Sequence, residues 1–423
     1  MSRGNKDKLA RFRSLIEEMS GSGLLRQEAV LSSPAGGSTI MIDGAALINL
    51  SSNDYLGLAL HPDVVEAACR AARSWGSGSR ASRLICGTTR LHARLEEKLC
   101  EALHVETCVV FGSGYLANTG LLSALASRGD IIYSDSLNHA SIVDGCRLSK
   151  ADVRIYGHAD AAHLEELMDR DGGADRDRLV VTETTFSMEG DEAPLGRISA
   201  AAAGRHALFV VDEAHSIGVK GERGKGLSSL LPEGARPDII MGTFGKAIGS
   251  YGAFVTGPRE VRDMLTNRCR TLIYSTSLPP AVTGAAARGI EIAFSDEGEA
   301  LRAELWKNCG LMKQALEHAG WGEAAREGPV FPLKVGSALK ALDIERSLRD
   351  KGVFLKAIRY PSVPKGTERL RIVVNALLTR DQIQQAGEAL KKVRPALEPH
   401  ALGVPGSRTP SACPVAARPR RAR

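Results

Sequence analysis

An α/β fold built on an open, mostly parallel sheet is what this sequence predicts, and three observations predict it. Apolar strand-like runs alternate with helix-like runs through the middle of the chain, the pattern of parallel strands covered by helices. Three of those runs, at 179–187, 208–215 and 238–246, are apolar over most of their length and then turn polar. Strands buried on both faces do this where they reach the carboxyl edge of a sheet, and ligands bind along that edge. Finally, 423 residues with 43% hydrophobic content can bury a large core and fill two domains.

Taken in chain order, residues 1–19 mix bases with acids and read as an amphipathic helix packed on the body; a transit peptide would be poorer in acids. His61-Pro62-Asp63 opens an apolar-periodic helix that runs to Trp75, with the proline in its first turn. Leu91, Leu95, Leu99 and Leu103 form one helix face, which is core packing. The run 107–111 is strand-like and leads into Gly112-Ser113-Gly114-Tyr115 and the helical pattern 116–125. A glycine turn opening a helix offers free N–H groups and a positive dipole end to an anion. Gly112, Gly114 and Ala117 also fit the dinucleotide spacing GxGxxA, with Asp135 downstream, so a nicotinamide oxidoreductase is a competing reading. His158 and His163 stand apart on a polar stretch and read as surface residues.

The last three strands carry the chemistry. The run 208–215 ends in Asp212 and, three residues on, His215; the run 179–187 ends in the hydroxyl of Ser187. The run 238–246 delivers Lys246 among Gly242, Gly245, Gly249 and Gly252, which leave room for a flat group near the backbone. A lysine held there and partly desolvated has a lowered pKa and becomes a nucleophilic amine. Taken alone, Lys246 could equally be a surface lysine after a strand, and Asp212 facing it a structural ion pair.

Five motifs decide between these readings: SSNDYLGL at 51–58, LNHASIVDG at 137–145, TETTFSMEGD at 182–191, VVDEAHSIGV at 210–219 and TFGKAIG at 243–249. Together they resemble the fold-type I pyridoxal phosphate transferases and, within these, the α-oxoamine synthases, over residues 24–393. That family condenses an amino acid with an acyl thioester and releases carbon dioxide. The resemblance implies a large pyridoxal phosphate-binding domain at 46–294 behind an N-terminal helical arm at 1–45, and a smaller α/β domain at 295–394. It also implies roles. Lys246 bonds the cofactor and later serves as base, Asp212 pairs with the pyridine nitrogen, and Ser187 and His215 meet the ring hydroxyl. His139 stacks on the ring, Gly114, Tyr115 and Thr243 hold the phosphate, and Ser275 and Thr276 reach the phosphate of a neighbouring subunit, hence a homodimer with shared active sites. For substrate, Arg371 grips the amino acid carboxylate through paired hydrogen bonds, Asn53 and His139 line the amino acid pocket, and Arg26 and Ser362 face the acyl group. Arg369 reads as a solvated neighbour of Arg371.

IYSTSLPP at 273–280 and AIRYPSVPKGTERLR at 357–371 resemble the branch that joins L-alanine to a pimeloyl thioester, carried by acyl carrier protein or coenzyme A, in biotin synthesis. The runner-up joins glycine to acetyl-CoA. Arg80, Tyr360 and Ser362 depart from the biotin branch, and Tyr360-Pro361 resembles the acetyltransferase, so acyl length stays open. An inactive scaffold of the same fold should have lost part of the lysine, aspartate and histidine set, and this chain keeps all of it.

Composition adds exclusions. The eight cysteines are scattered with no CxxC pair, and no secretory segment is present, so a reducing cytoplasm is expected. There is no membrane-length apolar stretch and no metal-ligand spacing. Of the net charge of +6, five charges are Arg408, Arg418, Arg420, Arg421 and Arg423, in a proline-, serine- and alanine-rich tail at 395–423 that reads as disordered. The tail reads as a solvated extension more than as a nucleic-acid contact.

Overall fold

In the computed structural model, which describes residues 8–172 and 176–394, a seven-stranded sheet organises the molecule. Across the sheet the strands lie in the order Thr107–Phe111, Ala253–Gly257, Ile239–Thr243, Leu208–Asp212, Arg178–Glu183, Ile131–Asp135, Asp152–Tyr156. From Ile239–Thr243 to Asp152–Tyr156 every neighbour pair is parallel, and Ala253–Gly257 runs against both of its neighbours. Except for the edge strand Asp152–Tyr156, which is largely exposed, these segments are rich in Val, Ile and Phe and are buried on both faces, which is why they read as unbroken apolar runs. Alternate residues feed opposite cores. Ile132, Val181 and Val210 pack with Leu121 and Leu265 on one face, and Tyr133, Val180 and Phe209 pack with Leu164 and Ile198 on the other.

Strand order reverses beside Ile131–Asp135: the next strand in sequence, Asp152–Tyr156, pairs on one side and the one after it, Arg178–Glu183, on the other. That switch point opens a crevice beyond the carboxyl ends of the strands. Residues 136–139 and 184–187 follow the two strands that flank it.

A second sheet, Val330–Lys334, Arg369–Val373 and Ala357–Ile358, is antiparallel and packs with helices Asp296–His318, Ala338–Arg349 and Arg380–Val393. A third joins the hairpin Thr39–Ile42 and Ala45–Asn49 to Val353–Phe354. One apolar cluster runs from Ile48, Leu50 and Tyr55 through Phe244 and Ile290 to Leu370 and Leu390, so the C-terminal part and the large sheet share a core.

The helix expected at 1–19 is present as Ala10–Gly21, but none of its residues is buried. Leu9, Phe12, Leu15, Ile16 and Met19 face outward, so the expectation that this helix packs on its own body is corrected. Its apolar stripe has the right period, and among the described residues none buries it. The basic tail at 395–423 lies outside the described residues.

Candidate active site

Strand Ile239–Thr243 stops three residues short of Lys246, which stands in the tight turn that follows, held by bonds from Gly249 N to Lys246 O (2.9 Å) and from Ser250 N to Phe244 O (2.8 Å). Gly249 has φ +69°, and a Cβ there would lie 2.4 Å from Ala59 N, so only glycine lets this turn seat on the 57–59 loop. Burial pushes the Lys246 ammonium down to about 8, against the pull of Asp212 and Glu183 toward the charged form. Asp212 ends the neighbouring parallel strand and is 5% exposed; its Oδ1 accepts from Ala214 N (2.9 Å) and its Oδ2 from Asn118 Nδ2 (2.8 Å). The two strands thus bring acid and amine to one edge, as the sequence predicts.

His215 lies in the turn after Asp212, and its Nδ1 is 2.6 Å from the hydroxyl of fully buried Tyr55. Burial, then the Lys246 and Arg371 cations, hold this imidazole well below its ordinary pKa. It is therefore neutral, and with Tyr55 donating to Nδ1 the proton sits on Nε2. His139 caps helix Ala140–Ser149, its Nδ1 accepting from Ser141 N (3.2 Å) and standing 2.8 Å from Ser141 Oγ. Burial lowers its pKa as well. Glu183, opposite Asp212 in register, accepts from Ser187 N (3.3 Å) through Oε2, while its buried Oε1 has no partner. Burial, then the Asp212 charge, raises the Glu183 pKa far above the carboxylate range.

Helix Gly114–Leu125 opens behind Ser113, whose Oγ accepts from Leu116 N (3.2 Å), leaving the Gly114 and Tyr115 N–H groups without an intrahelical acceptor. Those two N–H groups are open to an acceptor from outside the helix. The Tyr115 hydroxyl turns away to Asp144. Thr243 Oγ1 donates to Gly252 O (2.8 Å) and accepts from Gly245 N (3.1 Å), so its hydroxyl holds the lysine turn together.

Across the crevice, Arg371 donates from Nε to Ser187 O (2.5 Å) and from Nη1 to Asn53 Oδ1 (3.1 Å), and its Nη2 is buried without a partner. The hydroxyl of buried Tyr55 also lies near this guanidinium, whose spare N–H pair can bind an anion. Arg369 is 2% exposed and paired with Glu189 (2.5 Å), which corrects the expectation of a solvated residue: it ties the 187–189 loop to the strand carrying Arg371. Arg26 Nη2 reaches Tyr360 O (3.2 Å) and Ser362 Oγ (3.4 Å), so the N-terminal arm meets the predicted acyl-facing turn. Ser275 and Thr276 lie on an outer rim, Thr276 bridged to Ser82 and Tyr274 beside it 71% exposed.

Two further outcomes bear on the sequence reading. His158 and His163 are not free surface residues. His163 Nδ1 accepts from Gly157 N (3.0 Å), and His158 sits between Asp135 (3.1 Å) and Asp191 (3.1 Å). Asp135, the acid a dinucleotide site would need for ribose, is 2% exposed and also accepts from Leu137 N (2.8 Å) and Ala159 N (2.7 Å), so it has no face left for a sugar. Sequence reasoning did not single out Tyr55, Asn118, Ser141 or Glu183. Tyr55, Ser141 and Glu183 lie inside the quoted motifs, and Asn118 lies one turn into the helix after the glycine turn; that position was its only signal.

The sequence profile of the family described as aminotransferase class I and II matches residues 45–390. The chain is 46% identical over 354 residues to the 8-amino-7-oxononanoate synthase of Trichlorobacter lovleyi, covering 84% of this chain and 90% of that one. Among solved structures, the serine palmitoyltransferase of Sphingomonas wittichii superposes with TM-score 0.86 at 32% identity over 92% of this chain and 99% of that one. A structure described as SPT with PLP internal aldimine gives TM-score 0.85 at 30% identity, over 92% and 98%.

Proposed function

The chain belongs to the class I and II aminotransferase family and within it to the α-oxoamine synthases, and on that premise we propose that it joins L-alanine to a pimeloyl thioester, with loss of carbon dioxide, to give 8-amino-7-oxononanoate in biotin synthesis. Pyridoxal phosphate, when bound, supplies the electron sink for negative charge at the amino acid's α-carbon. The residues present fit that cofactor: a desolvated lysine, an acid beside it, a planar imidazole, a neutral histidine donor and a helix N-terminus for phosphate.

The geometry supports each role that the resemblance implies. Lys246 Nζ, with its pKa near 8, is part amine at neutral pH and can carry the cofactor, then take the α-proton once the amino acid has displaced it. With the cofactor bound, Asp212 would pair with the pyridine nitrogen and His215 would hydrogen-bond the ring hydroxyl. The single observation that carries the proposal is the orphaned Nη2 of Arg371. With Ser187 O and Asn53 fixing the rest of the guanidinium, that nitrogen is left to bind an amino acid carboxylate at the same edge as Lys246.

Pimeloyl as the acyl group is supported by the 46% identity to a named 8-amino-7-oxononanoate synthase and by the approach of Arg26 to Ser362. A homodimer is supported by the exposed rim of Leu84, Ile85 and Tyr274 around the Ser82–Thr276 bridge, which a second copy would cover. We also propose a cytoplasmic setting. All seven described cysteines are free thiols, and among the described residues no helix is long and apolar enough to cross a membrane.

Purified protein offered L-alanine or glycine with pimeloyl or acetyl thioesters should yield the eight-amino product from alanine and pimeloyl thioester, identified by mass. Product from glycine and acetyl-CoA alone would assign the acetyltransferase activity instead.

A further inference from the structure

We infer that Asn118 is a positioning residue that sets both the acid and the stacking histidine of the cofactor site through one amide; this rests on the pyridoxal phosphate reading above. Asn118 is 3% exposed, on helix Gly114–Leu125, one turn beyond the N–H groups of the phosphate cradle. Its Nδ2 donates to Asp212 Oδ2 (2.8 Å) and to Ser141 Oγ (2.9 Å), which uses both of its protons. The Ser141 hydroxyl, 1% exposed, has thereby accepted and must donate its own proton; His139 Nδ1 lies 2.8 Å away. Ser141 N–H donates to the same nitrogen at 3.2 Å.

Two consequences follow. The single lone pair of His139 Nδ1 is shared between the Ser141 hydroxyl and the Ser141 N–H, so its ring is the neutral tautomer with the proton on Nε2, and the ring plane is set by a chain that begins at Asn118. Asp212 is held from both sides, Ala214 N on Oδ1 and Asn118 on Oδ2, which aims its remaining lone pairs at the crevice. One amide therefore fixes the group below the ring edge and the group on the ring face relative to each other, and relative to the phosphate cradle on the same helix. Preorganisation of this kind lowers the cost of binding a rigid planar group.

The test uses the full chain with Asn118→Leu, close in volume, and Ser141→Ala, which cuts the chain at its second link. Two readouts are taken: the dissociation constant for pyridoxal phosphate, and the 15N NMR signals of the His139 ring in cofactor-free protein. Asn118→Leu should weaken cofactor binding by about tenfold, the loss of a hydrogen bond to a charged group, and should move the His139 nitrogen signals away from the Nε2–H tautomer. Ser141→Ala should move the His139 signals with a smaller loss of affinity, since Asp212 keeps Asn118. His139 signals unchanged in Ser141→Ala would overturn the relay, and this variant decides the matter if Asn118→Leu does not fold. Asn118→Leu binding cofactor within about twofold of wild type would overturn the positioning of Asp212. If wild-type protein takes up no pyridoxal phosphate, the cofactor reading itself fails, a result separate from the NMR readout.

Discussion

At the scale of single residues, the site depends on keeping charged groups out of water while leaving each a task. Lys246 is the clearest case, because burial outweighs two nearby carboxylates and brings its amine to about 8. Only the unprotonated amine attacks an aldehyde, so the rate at which cofactor-free protein takes up pyridoxal phosphate should rise with pH and reach half its maximum near 8. A midpoint near the ordinary 10.5 would mean that the lysine is solvated, and Lys246→Ala should lack the visible band of lysine-bonded cofactor. Arg371 gives a second expectation. Lysine there keeps the charge but cannot hold Ser187 O and Asn53 while presenting a spare N–H pair, so Arg371→Lys should lower kcat/KM for alanine by about tenfold or more, mostly through KM. Arg80 shows a cost. It is exposed and sits at φ +63°, where a side chain is strained, so Arg80→Gly should be neutral to stabilising, by up to about 1 kcal/mol in denaturant unfolding. The acid and the amine were legible in the sequence because strands that end in charge place those charges on one edge, whereas Arg371, in the middle of a strand of the second sheet, was expected only from the family resemblance. Arg369 was misread because its partner Glu189 lies 180 positions away, and nothing local to Arg369 announces a buried pair.

At the scale of elements, the carboxyl edge is a set of loops that must be held in register, and His158 ties two of them together. Its ring bonds Asp135, after which the His139 loop begins, and Asp191, which closes the Ser187 loop, while its edge rests on Phe186 with ring centroids 4.3 Å apart. Arg326 also approaches Asp191, at 3.8 Å. Burial alone would lower the histidine's pKa, but hydrogen bonds and charge from the two carboxylates overcome it and raise the value to about 10 from 6.5. The sign follows from linkage: a base with a raised folded pKa adds stability that is fully present below 6.5 and is lost as pH climbs toward 10. The gap in melting temperature between wild type and His158→Gln should therefore be widest near pH 6 and should narrow steadily toward pH 10. A gap independent of pH would mean that His158 contributes shape and not charge. This clamp explains why sheet and glycine turns could be read from the sequence while the clamp could not. Period-two burial, apolar runs and glycine turns are local patterns, whereas Asp135 ends a strand, His158 and Asp191 lie on two separate loops, and the three meet only after folding.

At the scale of the whole molecule, the described residues leave apolar surface exposed. Leu84, Ile85, Tyr251 and Tyr274 are each more than half exposed, and helix Ala10–Gly21 turns Phe12 and Ile16 outward. Ser275 and Thr276, whose resemblance implies contact with a neighbour's phosphate, lie on the same rim as Tyr274. A two-fold pairing of this rim would place each subunit's Ser275 and Thr276 beside the other's Gly114 and Tyr115, so each site would draw on both chains. Complementation tests that directly. Lys246→Ala protein and a Ser275→Ala, Thr276→Ala protein should each be nearly inactive alone. In a mixed dimer, one site combines the intact Lys246 of one chain with the intact Ser275 and Thr276 of the other, while the second site carries both defects. Unfolding and refolding the two together should make half of all dimers mixed, with one working site in each, and so restore about a quarter of wild-type activity. Sites built within single chains would give no recovery on mixing, because every chain would carry its own defect whatever its partner.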